Sequence, residues 1–194
     1  LSVQPYDVSS ENKKLVTELG KNFIIGLQGL GSNFLEDDKV LATAKHFLGD
    51  GGTDKGVDQG NTIISESMLK DIHGKPYYAA IDSCALSIMA SFNSWNGKKL
   101  HGNKYLLNNV LKNQMEFDGF IVGDWNGHGQ IPGCEDSNCP EAFNAGVDIY
   151  MVPTDWEALY WSTLNQVKSG VISKARLDDA VTRILSVKKY LGLF

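Results

Sequence analysis

The stretch GFIVGDWNGHGQ, residues 119–130, ends a short apolar run in a carboxylate, Asp124, and places a large aromatic ring, Trp125, directly after it. Two other apolar runs end in a comparable way. VLATAKHF, residues 40–47, closes on Lys45 and His46, with Asp50 just beyond, and LSIMASF, residues 86–92, leads into Asn93, Ser94 and Trp95. Asp124 can act as an acceptor or a nucleophile. Lys45 and His46 can donate to hydroxyls, and Asp50 can accept from two adjacent hydroxyls. Trp95 and Trp125 offer flat apolar faces. A sugar ring needs this mixture, because it has polar edges and apolar C–H faces, and glycosidases flank the scissile bond with paired carboxylates. Each residue also has a purely structural alternative. Asp124 could cap a loop, Lys45 and His46 could form a buried polar pair, Asp50 could brace its glycine-rich loop, and Trp125 could simply pack.

The elements that must position these residues alternate between helix and strand. A helix is expected over residues 11–28, with Leu15, Leu19, Phe23 and Leu27 four apart. The first strand, residues 40–47, is followed by the Gly- and Asp-rich loop LGDGGTDKGVDQGN, and long polar loops in compact domains are commonly functional. KPYYAAIDS reads as a short helix and residues 86–92 as the second strand. A helix capped by Asn103 carries Leu106, Leu107, Val110 and Leu111 on one face. GFIVGDW is the third strand, CPEAFNAG a short helix ending at Gly146, and DIYMVP a fourth strand stopped by Pro153. Two helices close the chain. The last starts at Ser173, presents Leu177, Val181, Ile184 and Leu185, and ends near Gly192. Continuous apolar strands separated by helices imply a parallel sheet covered on both faces, hence an α/β fold. Polar residues at the C-terminal ends of such strands occupy the active face of α/β barrels and the ligand crevice of open sheets. An eight-stranded barrel takes about 250 residues, so four strands would make half of one.

Composition narrows the function classes. The net charge is −5 with no basic block, which argues against a nucleic-acid partner. No apolar run approaches the roughly 20 residues that span a bilayer, so no membrane association is expected. The opening LSVQPYDVSS has neither the basic start nor the apolar core of a signal peptide and lacks an initiator Met, the pattern of a mature or cut product. The histidines fall in no metal-binding spacing, and neither a metal nor another cofactor is implied. Asp54 and Asp58 lack EF-hand spacing. GLQGLG, residues 26–31, has the look of a dinucleotide fingerprint but follows a helix, and reads better as a helix-ending turn. Cys84 reads as a buried thiol. Cys134 and Cys139 are open to two readings, a small disulfide loop or two free thiols; a bridge would fit a periplasmic or secreted protein.

Several of these stretches, in this order, resemble glycoside hydrolase family three, the β-glucosidase and exo-β-glucanase family. AKHFLGDGGT is similar to the family's Lys-His-Phe sugar-binding motif, and GFIVGDWNGHG to its nucleophile strand. IMASFNSWNGKKLHGNKYLL and RLDDAVTRILSVKKYLGLF match two further stretches, so the likeness runs over about residues 15–194. The resemblance implies a parallel (β/α)8 TIM-type barrel, of which this chain carries about the last four strands and their helices. Residues 1–194 would form the second half of one catalytic domain, with the first half and a following second domain elsewhere. It implies a retaining, exo-acting β-glycosidase that releases terminal β-linked glucose from β-glucosides or short β-glucans. Asp124 would be the nucleophile. Lys45, His46 and Asp50 would bind hydroxyls of the terminal sugar, and Trp125 would sandwich the next one. Phe92 aligns where some members carry Tyr, and Gln4 where the family has an Arg. The acid/base would come from the second domain. KHFLGDGG differs from the KHFPGHG of the hexosaminidase branch, which favours a glucosidase over a β-N-acetylglucosaminidase; a β-xylosidase is the other alternative within the family. A non-catalytic sugar-binding module and a small open-sheet nucleotide-binding protein are the alternatives from other classes.

Overall fold

A computed structural model describes residues 12–194; the Gln4 position lies outside them. The side chain of Asn12 accepts the backbone amides of Lys14 and Leu15 and so starts helix α1, Lys13–Gln28. Gly29, at φ 74°, ends it, making GLQGLG the helix-ending turn expected. Strand β1 spans Thr43–Phe47 and the two-residue β2 spans Asn61–Thr62. Helix α2, Glu66–Met68, continues through a π-helical stretch, Leu69–Gly74, into α3, Lys75–Asp82. Strand β3 is Ser87–Ala90. Two-residue strands β4, Ser94–Trp95, and β5, Lys98–Lys99, form a hairpin whose turn residues Asn96 and Gly97 both have positive φ, the geometry that suits Asn-Gly. A π-helix covers Tyr105–Gln114, strand β6 covers Phe120–Val122, and helices α4, Pro140–Ala145, α5, Trp156–Lys168, and α6, Lys174–Tyr190, complete the chain.

The main sheet runs β1-β3-β6, wholly parallel and in chain order, with helical segments between the strands. It is the α/β architecture expected. Ile88 and Ile121 are fully buried in its middle, and Phe47, Leu100, Leu106, Leu107, Leu111 and Phe117 close around them as the core. The pairing of β1 on β3 slips between Ala44 and Phe47: three steps along β1 oppose two along β3, from Ile88 to Ala90. The extra residue is a bulge, a device that re-aims side chains at a strand end, and it falls on Lys45 and His46. A smaller sheet, β2-β4-β5, carries residues from the loops that follow β1 and β3. Gly119 enters β6 so close to the Leu86 carbonyl that an added Cβ would stand 2.2 Å from its oxygen, and only glycine fits.

Four sequence expectations need correction. The fourth strand is reduced to a single parallel bridge, Val122 to Ile149. Beyond it the Met151 carbonyl accepts the Asn126 amide instead of continuing a ladder, and Pro153 has no amide to offer. On α1 the buried positions are Ile24 and Gln28, whereas Leu15 and Phe23 are exposed. On α6 the buried positions are Ala180 and Val187, with Leu177 packed beside them and Val181 and Leu185 exposed. Cys84 is exposed, not buried: it sits in the turn after α3 at φ 63°, before β3 begins, and its carbonyl accepts the Gln28 side chain. The segment capped by Asn103 has the expected buried leucines, 106, 107 and 111, but as a π-helix that also buries Lys112.

Candidate functional site

The C-terminal ends of β1, β3 and β6 converge. His46 stands between two carboxylates: its Nε2 is 3.3 Å from Asp124 Oδ2 and its Nδ1 is 3.3 Å from Asp50 Oδ2. Whichever nitrogen carries a proton, it faces an acid. Asp124, Asp50 and His46 are thus brought together as one group from the ends of β6 and β1. Lys45, beside His46, is partly buried. Phe92 is partly buried, its ring 5.9 Å from the ring of His101. Trp125 is 59% exposed, so its face is open. Trp95 behaves differently: it packs against the core and its Nε1 donates to the Ile64 carbonyl at 2.9 Å. Asn93 is fully buried and braces the Asp50 loop, donating to the Leu48 carbonyl and to Thr62 Oγ1, whose hydroxyl in turn donates to the Gly49 carbonyl.

Asp124 is held from several sides. Its side chain is 14% exposed. Its Oδ1 accepts the Trp125 amide at 2.7 Å, and its own amide donates to His101 Nε2 at 2.9 Å. Asn126, at φ 53°, turns the chain, and its Nδ2 donates to Asp136 Oδ2 at 2.7 Å. Asp136 lies in the loop closed by a Cys134–Cys139 disulfide, which resolves the two readings left open above in favour of the bridge. The loop therefore borders the residues that follow Asp124. A bridge this short removes little chain entropy, about 2 kcal/mol. We expect the denatured, unreduced protein to titrate one thiol, from Cys84; three would show that Cys134 and Cys139 are unbridged.

Sequence reasoning does not find the residues that join the loops. Lys99 Nζ donates to the Gln59 carbonyl at 3.2 Å, the Phe92 carbonyl at 2.8 Å and Gln130 Oε1 at 2.8 Å, while Gln130 Nε2 reaches Gln59 Oε1 at 2.8 Å. One ammonium thus ties together the loops after β1, β3 and β6; partial burial pushes its pKa down. His101 reads in the sequence as one of several scattered histidines. It is 1% exposed, and burial, reinforced by the charges of His128 and Lys99, pushes its pKa down to about 3. Nothing in the local spacing around Lys99 or His101 signals these contacts, which are made to groups on other loops.

The described helices include none long and apolar enough to cross a membrane. The ends of a parallel α/β sheet thus bring together an acid, a histidine and a second acid. The model of the glycosyl hydrolase family 3 N-terminal domain matches residues 6–187, and the chain belongs to that family. It is similar to an exo-1,3/1,4-β-glucanase from a Pseudoalteromonas species, with 52% identity and a TM-score of 0.94 over 95% of this chain and 23% of that one. A β-glucosidase from Listeria innocua, solved with isofagomine, is 30% identical with a TM-score of 0.83, over 93% of this chain and 26% of that one. A β-xylosidase from Formosa agariphila is 34% identical over 95% of this chain, and a periplasmic β-glucosidase from Salmonella typhimurium is 30% identical over the same share. The chain spans 27% and 24% of those two proteins.

Proposed function

We propose that this chain forms about the last four strands of a (β/α)8 catalytic barrel in a retaining, exo-acting β-glycosidase that removes terminal glucose from β-glucosides or short β-glucans. The observation that carries the reading is the Asp124 carboxylate at the end of β6, with one oxygen 2.7 Å from the Trp125 amide and the other facing His46. In this reading Asp124 attacks the anomeric carbon and forms a glycosyl-enzyme that water then hydrolyses. A carboxylate fixed by a backbone amide stays oriented for that attack, since the amide cannot rotate away. Asp50, His46 and Lys45 bind hydroxyls of the terminal sugar, energy that can be used at the reacting centre. Trp125 and Phe92 present faces to the apolar side of the sugars. A retaining site needs a second carboxylate about 5–5.5 Å from the first, and we assign the acid/base to a second domain outside this chain. The exposed Val181 and Leu185 on α6 are compatible with cover from further parts of the same protein. The disulfide and the periplasmic Salmonella relative support export to the periplasm or beyond.

The experiment is covalent trapping. Incubated with a 2-deoxy-2-fluoro-β-glucoside, the full-length protein is expected to gain the mass of one fluoroglucosyl group, mapped by peptide sequencing to Asp124. No adduct would favour a sugar-binding module, and an adduct on another residue would refute the assignment. The 34% identity to a β-xylosidase keeps that substrate as a second reading. Comparing kcat/KM on aryl glucoside and aryl xyloside separates the two, because only glucose carries the C6 hydroxymethyl group.

A further inference from the structure

The backbone amides around Asp124 can each be followed to a partner. Gly123 N–H is the last to use the sheet, donating to the Ile149 carbonyl at 2.8 Å. Asp124 N–H leaves the ladder for His101 Nε2, Trp125 N–H turns back to Asp124 Oδ1, Asn126 N–H goes to the Met151 carbonyl, and Gly127 N–H goes to the Asp124 carbonyl. Buried backbone groups are nearly always paired, so full pairing alone is unremarkable. The notable choice is that the amide of Asp124 itself is taken by a side chain from the loop after β5, 23 residues away.

That side chain is built in. An acceptor role at Nε2 fixes the tautomer, placing the ring proton on Nδ1. Nδ1 is buried and forms no hydrogen bond of ordinary geometry among the described residues, and the Ser91 backbone lies near the ring. Two glycines shape the cradle. A Cβ on Gly127 would stand 2.3 Å from His101 Cε1, and one on Gly123 would be 3.5 Å from Cδ2. Phe92 covers a further side at 5.9 Å. A ring wedged among β6, the loop after it and the loop after β3 has little freedom to release the amide.

We infer that His101 is a positioning residue for Asp124: its neutral imidazole holds the backbone amide at the end of β6 and thereby sets where the carboxylate stands. The displaced pKa described above agrees with this geometry, because a protonated ring has no lone pair to offer the amide. His101 touches no substrate in this account; it acts through Asp124. The inference rests on the reading of Asp124 as nucleophile. It also explains why a polar ring sits against Gly123, Gly127 and Phe92: an aliphatic side chain would fill the space but leave the amide unpaired.

The test compares three variants of the full-length protein, His101→Leu, His101→Gln and His101→Asn, by the rate of trapping with a 2-deoxy-2-fluoro-β-glucoside and by steady-state kinetics on an aryl β-glucoside. Leu keeps bulk and removes the acceptor. The Gln carbonyl reaches the place of Nε2, and the shorter Asn does not. We expect His101→Leu to trap roughly 10- to 100-fold more slowly, the scale of a misplaced reacting group. Its kcat and kcat/KM should fall together while KM holds, the mark of an interaction needed in the transition state. His101→Gln should recover most of the rate. Parent-like trapping in His101→Leu, or a Gln variant no faster than Asn, overturns the inference. If Leu prevents folding, the Gln-to-Asn comparison decides alone. A parent protein labelled somewhere other than Asp124 refutes the functional reading instead, so the two failures are distinguishable.

Discussion

Asp124→Asn should abolish most turnover while leaving the fold intact. Asn has nearly the same shape as Asp. Its Oδ1 can still accept the Trp125 amide, and its own backbone amide can still donate to His101. The substitution therefore removes one charge and one nucleophilic oxygen and little else. On the proposed role of Asp124 this removes covalent catalysis, and kcat on an aryl β-glucoside should drop by roughly 10³-fold or more, about 4 kcal/mol at 1.36 kcal/mol per decade. The melting temperature should move little, and an unreactive substrate should still bind, because His46, Asp50 and Trp125 are untouched. Turnover near that of the parent in the full-length Asp124→Asn protein would show that the nucleophile lies elsewhere.

What could be read from the sequence depended on how local its cause was. Ser173, Gly146 and Gly192 mark helix ends as expected, because capping is settled within a few residues. The two strand ends that carry Asp124, His46 and Asp50 were legible because apolar runs stop abruptly at polar residues. The helix faces were less so. A strict every-fourth-residue stripe precesses by about 40° per step on a helix of 3.6 residues per turn, so Leu15 and Leu27 cannot face one neighbour. On α6, the small Ala180 lies at the buried contact, and size had hidden it among the larger apolar residues. The fourth strand failed because its pairing is decided elsewhere: the Met151 carbonyl serves Asn126, a residue of the loop after β6. His101 and Lys99 were illegible for the same reason. His101 bonds to a backbone amide and Lys99 to two backbone carbonyls besides Gln130, and backbone groups leave no trace in residue type.

Asp148→Ala should be strongly destabilising. Asp148 follows α4, and its side chain is fully buried. Its Oδ1 accepts from Lys112 Nζ and from Arg176, each at 2.7 Å, and its Oδ2 accepts the Ile121 amide at 2.8 Å. Lys112 and Arg176 share a second acid, Asp179, at 3.0 Å each, and Arg183 joins Asp179 at 2.8 Å while donating to the Phe117 and Gly119 carbonyls. Three cations thus rest on two carboxylates. Removing one of the two leaves Lys112, whose side chain is 2% exposed, and Arg176 facing each other with half their counter-charge. Breaking a buried pair in this way costs about 3–5 kcal/mol, because the remaining charge cannot return to water. For a chain of this size that lowers the melting temperature by roughly 6–20 °C, at 2–4 °C per kcal/mol. Asp178→Ala is the control. Asp178 pairs with Lys174 on the surface, both side chains being more than half exposed, and exposed pairs contribute at most about 1 kcal/mol. The cluster also bears on the site, since the amide taken by Asp148 belongs to Ile121 in β6, three residues before Asp124. Loss of Asp148 should therefore loosen the strand that delivers Asp124, the proposed nucleophile, and kcat should fall at temperatures where the variant is still folded. Equal melting temperatures for Asp148→Ala and Asp178→Ala would show that the buried cluster does not hold this end of the sheet together.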